Sequence, residues 1–296
     1  MAFDAHTLRL LDTFALRTRR SFYGLRQGSH RSQRRGHGVE FAEYRSYELG
    51  DNPRYIDWNL YARSDKIYVK RYLEEETVSM FVVVDGSRSL THTALQTKWH
   101  AAAHLASCIS YVALAAHDPV TLSILGGPHS PAFWGSRAFA SLTDFLDGAG
   151  AQLISETPQQ IDLPETARRI STRVRFPGIC VIISDFLSPL SDVAAMLSSF
   201  RARNMEIHAV QILGDSDIDP APGAEGGTLV DSETGQPLGV SLDAASRDQY
   251  QELMTQHTHA LRAHCLAAQI QFVSARIQPS LADTSIHILN QMGLFI

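Results

Sequence analysis

The sequence is poor in cysteine, in charge and in long apolar runs, and each scarcity excludes something. Its 296 residues hold three cysteines, Cys108, Cys180 and Cys265, far apart and odd in number. No disulfide framework or zinc-ligand spacing follows, and a reducing compartment is expected. Charged residues make up 19%, below the roughly 25% of an average protein. Hydrophobic residues, at 44%, suffice for a packed core and argue against disorder. The longest weakly polar run, Ala101–Ala116, is interrupted by His104, Ser107 and Ser110 and is shorter than the roughly 20 residues of a spanning helix. The opening MAFDAHTLRL carries Asp4 and no apolar core, so no secretory signal is expected and a cytoplasmic location is.

What charge there is lies unevenly. The net is −5, but residues 1–76 hold 14 Lys+Arg against 11 Asp+Glu, and the other 220 residues hold 12 against 20. From Thr13 to Val39 there are seven Arg and no acid. A basic run with Phe22 and Tyr23 beside it could stack on and neutralise a nucleic acid. The acidic remainder opposes a polyanion, so a solvated or protein-facing segment is the preferred reading of Arg17–Arg35.

Periodicity divides the chain at about residue 77. Leu8, Leu10, Leu11, Phe14 and Leu16 suit an amphipathic helix ending near Arg20. The polar stretch Gln27–Gly38 reads as a loop, Glu40–Arg63 as a dense polar-aromatic block, and Ile67–Tyr72 as a strand. Beyond it, the apolar runs Met80–Val84, Val120–Leu125, Ile179–Ile183, Glu206–Leu213 and Ile270–Ala275 read as buried strands. Pro131–Gly135 reads as a short edge strand. Helices are expected near Gln96–Ala116, Ala138–Leu146, Pro164–Arg173, Asp192–Arg203 with Ser191 as N-cap, Ala244–Ala267 and Leu281–Met292. Asp215–Gly227 reads as a loop, including a turn-like acidic GDSD at Gly214–Asp217, and Thr228–Val240 as a hairpin. Strands alternating with helices predict an α/β fold, a mostly parallel sheet flanked by helices, with a small N-terminal appendage. The expected division is 1–77 and 78–296.

Ligands of such a sheet bind beyond the carboxyl ends of its strands. The first core strand there delivers Asp85, Ser87 and Ser89 at alternate positions, and another delivers Asp185. Two carboxylates and two hydroxyls make a hard oxygen set suited to Mg²⁺ or Mn²⁺. The competing reading is an Asp-capped, serine-rich turn. A phosphatase of the haloacid type would carry a second carboxylate where Ser87 stands. No G-x-S-x-G elbow or Walker A lysine is found. His100 and His104 stand four apart on a helix, as zinc ligands can, but without a third ligand they read as helix-face histidines, as do His257, His259 and His264.

The D-x-S-x-S followed by a strand-end Asp resembles the metal-ion-dependent adhesion site of von Willebrand factor A-like domains, over roughly residues 78–296. The resemblance implies that Ser87 and Ser89 ligate an ion directly and that Asp85 and Asp185 do so directly or through water, with a partner's carboxylate completing the shell. The threonine ligand usual in that family falls on Ile161, in Gln160-Ile161-Asp162-Leu163. A second block, Glu40, Phe41, Arg45, Tyr47, Gly50, Asp51, Arg54, Asp57, Trp58 and Arg63, matches E-F-x-x-x-R-x-Y-x-x-G-D-x-x-R-x-I-D-W-x-x-x-A-R. This resembles the bacterial domain-of-unknown-function 58 family, whose members place such a block ahead of a von Willebrand A-like domain. In that block Asp51 is expected to bond backbone N–H groups in a tight turn at Gly50. Arg45, Arg54 and Arg63 are expected to pair with Glu40, Asp51 and Asp57, and Phe41 and Trp58 to anchor the block on the sheet domain, as a structural plug in the first reading and a partner-docking surface in the second. Family resemblance implies a non-enzymatic interaction module whose partner is a MoxR-type AAA+ ATPase, acting in chaperone-like maturation of other proteins. The alternatives are a metal-dependent phosphate-ester hydrolase and a nucleic-acid binder.

Overall fold

The computed structural model describes residues 3–16, 27–36, 40–48, 51, 53–76, 78–91, 97–155, 161–174, 178–219, 227–230, 237–240 and 244–295. The chain divides into two compact units, Arg20–Val78 and Met1–Arg19 with Ser79–Ile296. The opening helix α1 (Ala5–Leu11) therefore belongs with the sheet unit and not with the N-terminal block as expected. Its cap explains its start: the Asp4 carboxylate accepts the Thr7 N–H at 2.7 Å. The Phe3 ring stacks on His104 with centroids 4.6 Å apart, and the Tyr111 hydroxyl donates to Asp12 at 2.7 Å.

The unit Arg20–Val78 is a three-stranded antiparallel sheet of β1 (Gln27–Gly36), β2 (Glu40–Ser46) and β3 (Tyr68–Glu76), with β3 central. Helix α2 (Trp58–Ser64) lies between β2 and β3 in sequence. The stretch expected as a loop is thus strand β1. Its sequence lacks the apolar alternation that announces a strand, and its pairing with β3, through register shifts, supplies what propensity does not.

The larger unit begins with β4 (Ser79–Asp85), followed by α3 (Arg88–Thr91), α4 (Thr97–Ala115), β5 (Val120–Leu125), α5 (Phe139–Ser155) and α6 (Leu163–Ser171). It continues through β6 (Gly178–Ser184), α7 (Leu190–Arg201), β7 (Glu206–Leu213), α8 (Asp215–Ile218) and the hairpin β8 (Gly227–Val230) and β9 (Pro237–Val240). It ends with α9 (Ala244–Ala267), β10 (Gln271–Arg276) and α10 (Leu281–Met292). The main sheet runs β10-β7-β6-β4-β5, with every neighbouring pair parallel. In place of a regular edge strand, antiparallel bridges tie His129 and Phe133 to Ser123 and Val120 on the outside of β5.

Strands β6 and β7 are buried along their whole length, and β4 in all but its first residue. This is what continuous Val/Ile runs produce when helices cover both faces. One face packs Phe81, Val83, Cys180, Ile182, Ile207 and Ala209 against the apolar sides of α6, α7 and α9. Against the other lies α4, itself packed on α5 and α10. Helix α7 starts at Leu190 after Pro189 and not with Ser191 as cap. The acidic GDSD, expected as loop, is the short helix α8, with Asp217 turned inward and 8% exposed. The chain leaves β4 for β5 on one side and reaches β6 on the other. The sheet's switch point therefore falls at the carboxyl ends of β4 and β6.

Candidate functional site

Those two strand ends carry Asp85 and Asp185. Asp85 closes β4 and is buried; its Oδ1 accepts the Ser87 N–H at 2.9 Å, and its Oδ2 accepts the Ser184 hydroxyl from the neighbouring strand. The first bond makes the local turn that starts α3. The backbone there admits no side chain at residue 86: a Cβ on Gly86 would stand 2.5 Å from the Leu125 carbonyl oxygen, which the Gly86 N–H itself bonds at 3.1 Å. The Ser87 and Ser89 hydroxyls, both half-buried, lie 2.9 Å apart. The sequence-predicted set Asp85, Ser87, Ser89 and Asp185 thus gathers at one end of the sheet. Burial and the charge of Asp185 push the Asp85 carboxyl up to about 6.

Asp185 is positioned by a strained turn. Phe186, next to it, is buried with φ +51°, a left-handed conformation unusual for an aromatic residue. The turn is held by the Phe186 N–H donating to Ser184 Oγ at 2.9 Å and by His257 Nε2 at 2.7 Å from the Phe186 carbonyl oxygen. Gln211 Nε2 donates to the Asp185 carbonyl at 2.9 Å, and the Ser274 hydroxyl donates to Gln211 Oε1 at 2.8 Å.

Two residues of the cluster lie outside the predicted set: Lys98, unremarked in the sequence, and Asp217, read there only as part of an acidic turn. Lys98, in the first turn of α4, is 3% exposed, and its Nζ donates to Asp185 Oδ2 and Asp217 Oδ1, both at 2.9 Å. Burial works against the ammonium, but the two carboxylates outweigh it and hold Lys98 above the ordinary lysine range. Asp217 Oδ2 in turn accepts the Gly214 N–H at 2.8 Å, and Tyr250 donates to the Asp217 carbonyl at 3.0 Å. The strand-end rule that marked Asp85 and Asp185 also points at Asp217, just past β7. Nothing local marks Lys98.

The donor set departs from a divalent-cation site in two places. Asp185, one of the expected ligands, is bonded to an ammonium. Ile161 stands where the family's threonine ligand is expected, its side chain filling the space a Cβ on Gly126, just past the end of β5, would need. On these counts the residues do not fit the ion that the adhesion-site pattern implies. Among the described residues, no group of three or more His, Cys, Asp and Glu is arranged to hold a metal. His100 and His104 do not converge either: His100 is exposed, while His104 is buried with Nδ1 2.8 Å from the Ser285 hydroxyl.

The polar-aromatic block of the other unit is built around two carboxylates. Asp51 Oδ2 accepts the Glu48 N–H at 2.8 Å while Oδ1 pairs with Arg45, and these contacts, the backbone bond foremost, hold Asp51 below the usual carboxylate range. Asp57 caps α2 through the Asn59 and Leu60 N–H groups at 3.0 and 3.1 Å and accepts the Tyr44 hydroxyl at 2.8 Å. The Tyr47 N–H bonds the Ile67 carbonyl at 3.0 Å. Trp58 is 61% exposed and meets Tyr61 edge-on at 6.2 Å. Arg54 and Arg63 are exposed. Gly50 and the side chains of Glu40 and Phe41 lie outside the described residues, as do the side chains of the basic run Arg17–Arg35.

A doubly wound parallel sheet with an acidic switch point, together with a small antiparallel unit, defines the class of protein. The model of the family described as "Protein of unknown function DUF58" matches residues 43–260, and the chain belongs to that family. It is 27% identical over 267 residues to uncharacterized proteins of Mycobacterium bovis and Mycobacterium tuberculosis, covering 86% of this chain and 80% of theirs. Among solved structures it is similar to the conserved hypothetical protein BatB from Bacteroides thetaiotaomicron (15% identity, 73% of this chain and 98% of that one, TM-score 0.43). It is also similar to an aerotolerance-related membrane protein from Bacteroides fragilis (13% identity, 73% and 98%, TM-score 0.40). No helix among the described residues is long and apolar enough to cross a membrane.

Proposed function

We propose that this chain is a non-catalytic protein-interaction module that meets its partner at the carboxyl edge of the main sheet, around Asp85, Ser87, Ser89 and Asp185. The partner implied by family resemblance is a MoxR-type AAA+ ATPase, with the module acting as its adaptor in maturation of other proteins. The observation that carries the reading is the state of the switch-point carboxylates. Each oxygen of Asp85 and Asp185 already accepts a hydrogen bond from the protein. A general base must keep an oxygen within reach of the proton it removes. Beside them lie the half-buried hydroxyls of Ser87 and Ser89, 2.9 Å apart, which suit recognition better than turnover.

The test is co-expression of the chain with a MoxR-type ATPase from the same organism, followed by affinity purification. The wild type should retain the ATPase. The doubly substituted Ser87→Ala/Ser89→Ala chain should lose it while keeping its melting temperature. Equal retention by both chains would remove the carboxyl edge from the interface.

A further inference from the structure

We propose that Lys98 is the resident cation of the strand-end site, tying Asp185 to Asp217 from within the fold, so that the site works without a divalent ion. The inference deepens the interaction-module reading and rests on it only for the statement that a partner is met without metal. Four features carry it.

First, the ammonium bridges two carboxylates from separate elements, the end of β6 and α8, as a bound cation would. It lies 2.9 Å from each, with Lys98, Asp185 and Asp217 at 3%, 3% and 8% exposure. A charge buried this deeply is stable only when paired, and here the pairing is double.

Second, the carboxylate oxygens of the cluster are all engaged. Asp85 takes the Ser87 N–H and the Ser184 hydroxyl, Asp185 takes Leu187 N–H and Lys98, and Asp217 takes Lys98 and Gly214 N–H. A Mg²⁺ or Mn²⁺ ion wants near-octahedral oxygen ligands and would have to share each of these oxygens with a donor already on it, the Lys98 ammonium among them.

Third, the loop that would add another oxygen adds the methyl end of Ile161, lodged against Gly126. Fourth, a divalent ion sharing Asp185 would be repelled by the ammonium already on it, in a setting of low dielectric where that repulsion is strong. The two serine hydroxyls that remain bond each other at 2.9 Å.

The experiment uses the full chain, stripped with EDTA and dialysed, and the metal itself as probe. Equilibrium dialysis against Mn²⁺ up to about 1 mM, the weak end of protein oxygen sites, should leave no stoichiometric metal on the wild type. Thermal melts with Mn²⁺ and with EDTA should coincide. One Mn²⁺ per chain, lost in Ser87→Ala/Ser89→Ala, would overturn the proposal. Lys98→Met should lower the melting temperature by about 10 °C, because two buried carboxylates lose their counter-charge, and Mn²⁺ should recover part of the loss. A Lys98→Met chain as stable as the wild type would equally overturn it. Should that variant not fold, Lys98→Arg keeps the charge and should fold and stay silent to Mn²⁺; metal uptake by it would count against the proposal. None of these readouts uses the partner, so a failed co-purification strikes the proposed function and leaves this inference standing.

Discussion

Asp85→Asn separates the cost of a buried charge from everything else at the site. The Asp85 carboxyl is pushed from 3.8 to about 6 by burial first and by Asp185 second. A carboxylate whose pKa is raised on folding binds its proton more readily in the native state than in the unfolded one. Stability contributed by this group is therefore greatest below pH 4 and falls as the pH rises through 6. The rise from 3.8 to about 6 corresponds to roughly 3 kcal/mol of penalty at pH 7.5. Asparagine removes the charge and keeps the shape. Its Oδ1 can accept the Ser87 N–H, and its Nδ2 can donate to Ser184 Oγ, which now donates to Asp85. Urea unfolding of both chains in EDTA, between pH 4 and pH 8, isolates the term as a difference, since all other titrating groups are shared. Asp85→Asn should be more stable than the wild type by about 1–3 kcal/mol at pH 7.5, with the gap narrowing as the pH falls through 6 and nearly closed at pH 4. A variant less stable at every pH, by a constant amount, would mean that Asp85 is stabilised as a carboxylate and that the electrostatic reading of the cluster is wrong.

Two further outcomes follow from the rest of the fold. Gln269 ends α9 at φ +57°, inside a terminating turn in which the Ile270 N–H reaches back to the Cys265 carbonyl at 2.8 Å, and its side chain is exposed. Gln269→Gly should stabilise the chain by about 1 kcal/mol, read as a higher urea midpoint at unchanged slope. All three cysteines are buried, and burial pushes the Cys108 thiol up to about 12 and that of Cys265 up to about 11. A thiol-reactive dye should label none of them in the native chain and all three in guanidinium; fast labelling without denaturant would contradict the packing of α4, β6 and α9.

The sequence announced most of the large unit because its signals are local. Strand β7 and helices α9 and α10 have the bounds that hydrophobic periodicity predicts, and the strand-end rule brought Asp85 and Asp185 to one place. What it missed depends on neighbours far along the chain. A lysine beside Trp99 at the start of a helix reads as solvent-facing; only the seating of α4 against the sheet turns Lys98 inward, across 87 residues to Asp185 and 119 to Asp217. GDSD reads as a turn because Gly, Asp and Ser favour turns, and a four-residue helix leaves no periodicity to detect. Strand β1 is polar throughout, so its pairing with β3 has no hydrophobic signature.

The same long-range contacts bear on the binding role proposed for the switch point. Phe186 holds a left-handed backbone that costs about 1–3 kcal/mol when adopted by a non-glycine residue. That cost is offset by contacts from three other elements: Ser184 on β6, His257 on α9 and, through the Asp185 carbonyl, Gln211 on β7. The result is a carboxylate whose position is fixed before any partner arrives, with Lys98 and Asp217 locked behind it. A reactive acid or base gains from an oxygen that can trade one partner for another, and this arrangement removes that freedom. A binding surface gains from the opposite, because groups already ordered lose little entropy on association. The strain at Phe186, the bridged ammonium and the apolar Ile161 are therefore consistent with the two proposals made above, that a fixed internal cation takes the place of an exchangeable one and that contact is made through Ser87 and Ser89.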